Sequence, residues 1–154
     1  MKKVIMSLLL LAACHRSTVL APVPVSGSVT GGSDPMGALR GFMAAAKQRD
    51  LQALSAFWGD KDGPARDRLP RAELEKRELY MVRCLRHDTY ETVGNALPVS
   101  GGLAMVVKVK YRDLSLRRDF SLSTDVQIVP GPANRWYVKE VSVTKLQDIC
   151  MLRG

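Results

Sequence analysis

The pattern of apolar residues changes its period once along the chain. Between about residues 34 and 86, apolar residues recur three or four positions apart, which is the spacing of one buried helix face. After residue 88 they alternate with polar residues, as in strands that have one buried face. Helices followed by strands indicate an α+β domain, in which three N-terminal helices pack on one face of a four-stranded, mostly antiparallel sheet.

Three helices are predicted in the first half of this domain. Asp34, or the serine before it, caps a helix that extends to about Arg49, and Asp50 caps a second helix over 51–58. The apolar faces of these two helices are Leu39, Phe42, Met43, Ala46, Leu51, Leu54, Phe57 and Trp58. A third helix begins at Pro70 or the arginine after it and ends near residue 86. Its second half, "LYMVRCL", is nearly all apolar, so we expect it to be buried.

Four strands are predicted after the helices, over 89–93, 103–113, 119–128 and 135–146. The two central strands alternate cleanly, and their inward residues are Leu103, Met105, Val107, Val109, Tyr111, Phe120, Leu122, Thr124, Val126 and Ile128. In the last strand the apolar positions change parity halfway along. Either a β-bulge near Lys139–Glu140 shifts the phase, or both faces of this strand are partly covered.

The chain begins with the pattern of an export signal, "MKKVIMSLLLLAAC". The apolar run over 4–13 is shorter than the roughly 20 residues that a membrane-spanning helix needs. Its end, Leu11-Ala12-Ala13-Cys14, resembles the lipobox of bacterial lipoproteins. This resemblance implies that the Cys14 thiol carries a diacylglycerol and that the signal is cut just before it. The alternative is an ordinary secretory signal that contains a cysteine near its cleavage site.

A lipid on Cys14 would anchor the protein stably to the cell envelope, because two or more acyl chains hold a protein on a bilayer. His15 stands where an aspartate favours inner-membrane retention, so in a Gram-negative cell we expect the periplasmic face of the outer membrane or the cell surface. The domain organisation is then a signal peptide over 1–13, a flexible Pro-, Gly- and Ser-rich linker over 14–33, and one domain over 34–154.

The charge balance of the mature chain is basic. The full chain has 23 Lys and Arg against 15 Asp and Glu, and removal of Lys2 and Lys3 with the signal leaves an excess of six positive charges. Such an excess favours anionic surfaces, or serves only to keep the protein soluble. Nucleic acid is not an expected partner, because the chain is exported and no stretch interleaves basic residues with stacking aromatics.

Two segments of the domain resemble the nuclear transport factor 2-like superfamily, which includes ketosteroid isomerase and has a cystatin-like cone. They are "GALRGFMAAAKQRDLQALSAFWG", in which an aspartate starts a second helix, and "RWYVKEVSV" near the end. The resemblance covers about residues 36–146 and implies a curved sheet that encloses a pocket. It also implies a possible homodimer through the outer sheet face, where Ala104 and Val106 lie among Lys108, Lys110 and Arg112.

Enzymes of this superfamily place an acid or a base inside the cone. On the central strands Asp113, Asp119 and Asp125 fall on the outer face, so an inward acid must come from Glu91, Glu140 or the 87–90 segment. The weak pocket candidates are therefore His87, Asp88, Tyr90, Tyr111 and Glu140. None is assigned a catalytic role.

The compact cluster "RHDTY" admits two interpretations. Asp88 could orient the imidazole of His87 while Tyr90 donates a hydrogen bond, which would serve acid–base chemistry. We favour the simpler interpretation that these residues cap the carbonyl end of the third helix. We predict no metal site and no cofactor, because His87 is the domain's one histidine and no paired ligand spacing accompanies it.

Two cysteines remain after Cys14, at positions 84 and 150. In an oxidising compartment we expect Cys84 and Cys150 to form a disulfide, and two buried free thiols are the alternative. The whole pattern predicts a non-catalytic lipoprotein whose domain binds an envelope protein, a wall polymer or a small apolar ligand. The alternative function is a ketosteroid isomerase-like enzyme or small-molecule carrier with a polar group inside the cone.

Overall fold

The computed structural model describes residues 30–113, 117–147 and 150. Cys14, the signal peptide, most of the linker and the side chain of Asp113 lie outside the described residues. The helices and strands are α1 Pro35–Gln48, α2 Leu51–Phe57, β1 Gly59–Asp60, β2 Gly63–Pro64, α3 Arg71–Leu85, β3 Thr89–Val99, β4 Gly102–Asp113, β5 Arg118–Pro130 and β6 Trp136–Val141. Strands β1 and β2 pair with each other, and β3–β4–β5–β6 form an antiparallel sheet in that order.

Two aspartates start the first two helices, as predicted. Asp34 accepts a hydrogen bond from the backbone N–H of Gly37 at 2.7 Å, and Asp50 accepts one from the N–H of Ala53 at 2.9 Å. Each bond satisfies an N–H group that the first turn of a helix leaves without a partner. Between the two helices Arg49 adopts a left-handed backbone with φ of 58°, which ends α1 and lets α2 start at once.

The inner face of the sheet is closed by the helices. Val107, Val109, Val126 and Ile128 are at most 1% exposed, and they share a core with α1 residues such as Phe42. These strand residues have the parity that the alternation predicted. The structure therefore confirms an α+β fold with three helices on one face of a four-stranded antiparallel sheet.

A β-bulge lies where the change of parity placed it. Gln127 pairs with Glu140 and Ile128 pairs with Val138, so Lys139 is the extra residue of β6. The bulge moves Val141 back into register and confirms one of the two alternatives for this strand. Along the outer edge of β6, Gly32 bridges to Trp136 and Trp58 bridges to Val138.

The domain starts before residue 34, within the segment predicted as linker. The N–H of Gly31 donates to the carbonyl of Ala56 at 2.8 Å, and Gly32 exchanges two backbone hydrogen bonds with Trp136. Both glycines are buried. A Cβ on Gly32 would meet the backbone of Ala38 at 2.1 Å, so this close approach requires glycine.

Three further sequence predictions need correction. The last strand ends at Val141 and does not reach residue 146, because Val143–Leu146 form a 3-10 helix. Strand β3 continues past residue 93 to Val99, because its pairing with β4 resumes at Leu97 after an irregularity. The second half of α3 is not buried throughout: Leu79 is 54% exposed and Tyr80 is 44% exposed, whereas Val82, Cys84 and Leu85 are in the core. Apolar residues lie around the whole circumference of this half of α3, and the prediction was therefore that all its sides are buried. The other elements cover only one side of the helix.

The predicted cysteine pair lies at disulfide distance. The sulfur atoms of Cys84 and Cys150 are 2.01 Å apart, and both residues are at least 96% buried. The pair joins the last turn of α3 to the C-terminal segment across a sequence separation of 66 residues. It thereby fastens the helix layer to the end of the chain.

Candidate functional site

The inner face of the sheet, where the resemblance placed a pocket, holds packed side chains. Tyr111 is 7% exposed and stacks on Phe120 with ring centroids 5.2 Å apart. Thr124 donates its hydroxyl hydrogen to the carbonyl of Ser142 at 2.8 Å. Asp119 and Asp125 are exposed, as their parity predicted. Along the described parts of β4 and β5, no acidic side chain is buried on this inner face.

His87 and Asp88 follow each other but their side chains lie in different surroundings. His87 is 4% exposed, and its Nδ1 lies 2.7 Å from the carbonyl oxygen of Leu85, the last residue of α3. Asp88 is exposed and accepts a hydrogen bond from the backbone N–H of Arg112 at 2.7 Å. These contacts bind the end of the helix to β4, as a structural cap does.

Tyr90 completes this cluster. Its ring meets that of His87 edge to face, with centroids 5.4 Å apart. Burial raises the pKa of the Tyr90 hydroxyl above its ordinary value. Lys47 donates to the carbonyl of Asp88 at 2.6 Å, which joins α1 to the same turn.

Glu140 lies on the outside of the domain. It is exposed in β6 beside the bulge and lines surface depressions on both sides of the strand. The structure thus brings His87 and Tyr90 together, and it separates them from Glu140. Tyr111 packs in the core, and together with Asp88 it also lines an open cleft of about 570 Å³.

One buried carboxyl was missed by the sequence analysis. Glu78 of α3 is 4% exposed, and its Oε1 has no hydrogen-bond partner among the described residues. Burial raises the pKa of Glu78, and a hydrogen bond with Ser55 partly offsets this rise. Helical spacing alone could have identified it, because Glu78 falls on one stripe with Leu74, Val82 and Leu85.

An open groove of about 880 Å³ runs between α3 and β6. Its walls include Trp58, Tyr80, Met81, Lys139, Glu140 and Val141. The Trp58 indole N–H donates to the carbonyl of Lys139 at 3.4 Å, which fixes the tryptophan at one end of the groove. Beyond Val138, the outer edge of β6 has no strand partner within the described ranges. Such an edge offers backbone donors and acceptors to an extended chain.

A smaller cleft of about 310 Å³ lies on the other side of the exposed ridge of α3. It is lined by Arg49, Leu51, Leu79, Val82, Arg83 and Arg86. Leu79 and Arg83 line both this cleft and the α3–β6 groove. We call it the arginine cleft.

The described residues contain no group of three or more His, Cys, Asp or Glu side chains that could hold a metal ion. Within the same ranges, no helix is long and apolar enough to cross a bilayer. No known family model matches the chain, and no curated protein matches it significantly.

Proposed function

We propose that this protein is a lipid-anchored lipoprotein of the cell envelope whose domain binds an extended segment of another envelope protein. The lipobox-like Leu11-Ala12-Ala13-Cys14 supports the anchor, and the resemblance to nuclear transport factor 2-like domains supports a binding scaffold. The observation that carries the proposal is the α3–β6 groove, where an open strand edge faces exposed apolar side chains.

An extended segment fits this groove better than the other ligands that we considered. The edge of β6 after Val138 would supply backbone hydrogen bonds, and Tyr80, Met81 and Val141 would contact alternate side chains. A small apolar ligand normally has most of its surface buried, and an open groove does not provide such enclosure. A ketosteroid isomerase-like reaction would need a carboxyl on the inner face, where β4 and β5 place none within the described residues.

Site-specific photo-crosslinking in intact envelopes tests the binding role. A photoreactive amino acid at Tyr80 should give a discrete adduct with one protein, and the same amino acid at the exposed Ser121 of β5 should not. Unlabelled peptide from the crosslinked segment should compete with the adduct, and Val141→Asp should abolish it. Equal adducts at both positions, or none at Tyr80, would contradict the proposal.

Metabolic labelling tests the anchor separately. Labelled palmitate should enter the wild-type protein and be absent from Cys14→Ala. An uncleaved, unlabelled product inside the cell would overturn both the anchor and the envelope location.

A homodimer through the outer sheet face is a second proposal, supported by one observation. Val93, Leu97 and Val99 of β3 are 46%, 65% and 39% exposed, and the first two pair with Val106 and Ala104. An apolar patch of this kind often marks a protein contact. Light scattering on the mature chain with Cys14→Ser should give twice the monomer mass, and Leu97→Lys should return it to the monomer.

A further inference from the structure

The arginine cleft has a charge arrangement that the α3–β6 groove lacks. Acidic residues occupy the first half of α3, at positions 73, 75 and 78, and from Leu79 onward the helix carries only basic charge. Arg49 approaches from the end of α1 and Arg83 from α3. Within the described residues, neither guanidinium forms an ion pair with a carboxylate. Arg49 and Arg83 therefore bring two positive charges to the cleft that no carboxylate of the described residues pairs with.

Apolar side chains accompany these arginines. Leu51 and Val82 line the cleft, and Leu79 stands at its rim with more than half of its surface exposed, at 54%. Basic side chains beside an exposed leucine are a combination found where a helix rests on a lipid headgroup layer.

The position of the tether allows this contact. The described chain begins at Thr30, and the N–H of Gly31 bonds to Ala56 near the end of α2. The other end of α2, Leu51, lines the arginine cleft, about 10 Å away at 1.5 Å per residue. A chain from Cys14 to Thr30 reaches at most about 55 Å, so a lipid on Cys14 would allow the cleft to touch the bilayer.

We propose that the arginine cleft docks on the anionic headgroup surface of a bilayer. This places the domain against the membrane instead of letting it move freely on its linker. The location of the contact in the cell rests on the proposed lipid anchor, but the contact itself does not. Because Leu79 and Arg83 border both clefts, docking also brings the α3–β6 groove to the membrane surface, where it would meet partner segments that emerge from the bilayer.

Vesicle co-sedimentation of the mature chain with Cys14→Ser tests this without the lipid anchor. We expect binding to phosphatidylcholine vesicles that contain about one third phosphatidylglycerol, no binding to pure phosphatidylcholine, and loss of binding at high salt. Arg49→Gln with Arg83→Gln should weaken the apparent affinity about tenfold or more. Leu79→Ser should weaken it without changing the charge, because it removes an apolar contact.

The matched control removes two charges from the opposite side of the domain. Lys108 and Lys110 lie on the outer sheet face near Glu91, with Lys110 Nζ 3.0 Å from its carboxylate. Lys108→Gln with Lys110→Gln should change the affinity by no more than about twofold. Equal weakening by the two double variants would overturn the proposal, since net charge alone would then explain binding. Unfolding temperatures of all variants should stay close to wild type.

Two further outcomes would also overturn it. One is the absence of binding to anionic vesicles. The other is binding of soluble, short-chain phosphatidylglycerol without vesicle binding, which would assign the cleft to single lipid molecules. Palmitate labelling and the Tyr80 crosslink test the proposed function, and vesicle binding tests the docking of the cleft. The failure of one proposal can therefore be told apart from the failure of the other.

Discussion

The two faces of the sheet differ in what their side chains contact. On the inner face, Val107 and Val109 of β4 are at most 1% exposed and pack under the helices. On the outer face, Lys110 and Arg112 of the same strand form ion pairs with Glu91 at 3.0 Å and Asp119 at 2.9 Å. A catalytic carboxyl needs a shielded site with room for a substrate. Along the described parts of β4 and β5, packed apolar side chains occupy the centre of the shielded face, whereas Asp119 and Asp125 are exposed.

The α3–β6 groove and the arginine cleft lie at the margins of the layers. There the exposed ridge of α3 and the edge of β6 combine apolar surface with charge. The contrast between a closed inner face and open margins gives the following predictions, from the largest expected effect to the smallest.

The same substitution on the two faces should have opposite consequences. Val107→Asp places a carboxylate in a site that is 0% exposed, and we expect a loss of more than about 4 kcal/mol or failure to fold. Val93→Asp changes a residue that is 46% exposed on the outer face, and in the monomeric Leu97→Lys variant we expect about 1 kcal/mol or less. Urea unfolding followed by circular dichroism measures both, and similar losses would refute the contrast.

The cysteine pair that fastens the helix layer over the inner face is the next largest contribution. Replacing Cys84 and Cys150 together with alanine should reduce the free energy of unfolding by about 4 kcal/mol, because the 66-residue loop gains entropy in the unfolded state. Urea unfolding of the double variant against the oxidised wild type gives the difference. Alkylation of either thiol in native, non-reduced protein would show that the bond is absent.

The sequence was sufficient to predict the sheet's inner face because strand alternation is a local signal. Neighbours within a few positions predict that Val107 and Ile128 face the helices, and they also predict the bulge at Lys139. The extent of β3 did not follow, because Gly94 and Pro98 interrupt the pattern and only pairing with β4 reveals the continuation to Val99.

The candidate sites could not be predicted in the same way. The apolar run of α3 showed that the helix packs somewhere, but which residues remain exposed depends on where α2 and β6 meet it. Tyr80 and Leu79 are therefore surface residues despite their type. Conversely, Glu78 is buried despite its charge, since the helical stripe fixes its direction. Each of the two clefts is lined by residues from three separate elements, so it forms only in the folded chain and no local pattern predicts it.

Glu78 is the charged exception within the buried layer, so its replacement should stabilise the protein. Glu78→Gln keeps the size and removes the ionisable oxygen, and we expect a gain of about 1 kcal/mol at neutral pH. Differential scanning calorimetry at pH 7 measures it. Leu79→Gln, at the exposed neighbouring position, is the control and should change stability by less than about 0.5 kcal/mol.

Glu78 should also make the free energy of unfolding depend on pH, and its raised pKa sets the direction of that dependence. Because the folded-state pKa of Glu78 is raised above the ordinary value of 4.5, the folded state binds the proton more tightly than the unfolded state. The destabilisation is therefore absent well below pH 4.5, grows between pH 4.5 and the folded-state pKa, and stays constant at higher pH. The stability difference between Glu78→Gln and wild type should follow this curve, and a difference that is flat with pH would exclude a shifted Glu78.

The smallest effect is expected on the outer face, at the pair of Glu91 and Lys110. The two side chains are 48% and 45% exposed, so water screens their attraction despite the 3.0 Å contact. A double-mutant cycle with Glu91→Ala and Lys110→Ala should give a coupling free energy of about 0.5 kcal/mol or less, and high salt should reduce it further. A coupling above about 1.5 kcal/mol would mean that this surface is shielded from water. Since Glu91 lies beside the exposed Val93, burial in a homodimer would then be the direct explanation, and the coupling should fall on dilution to the monomer.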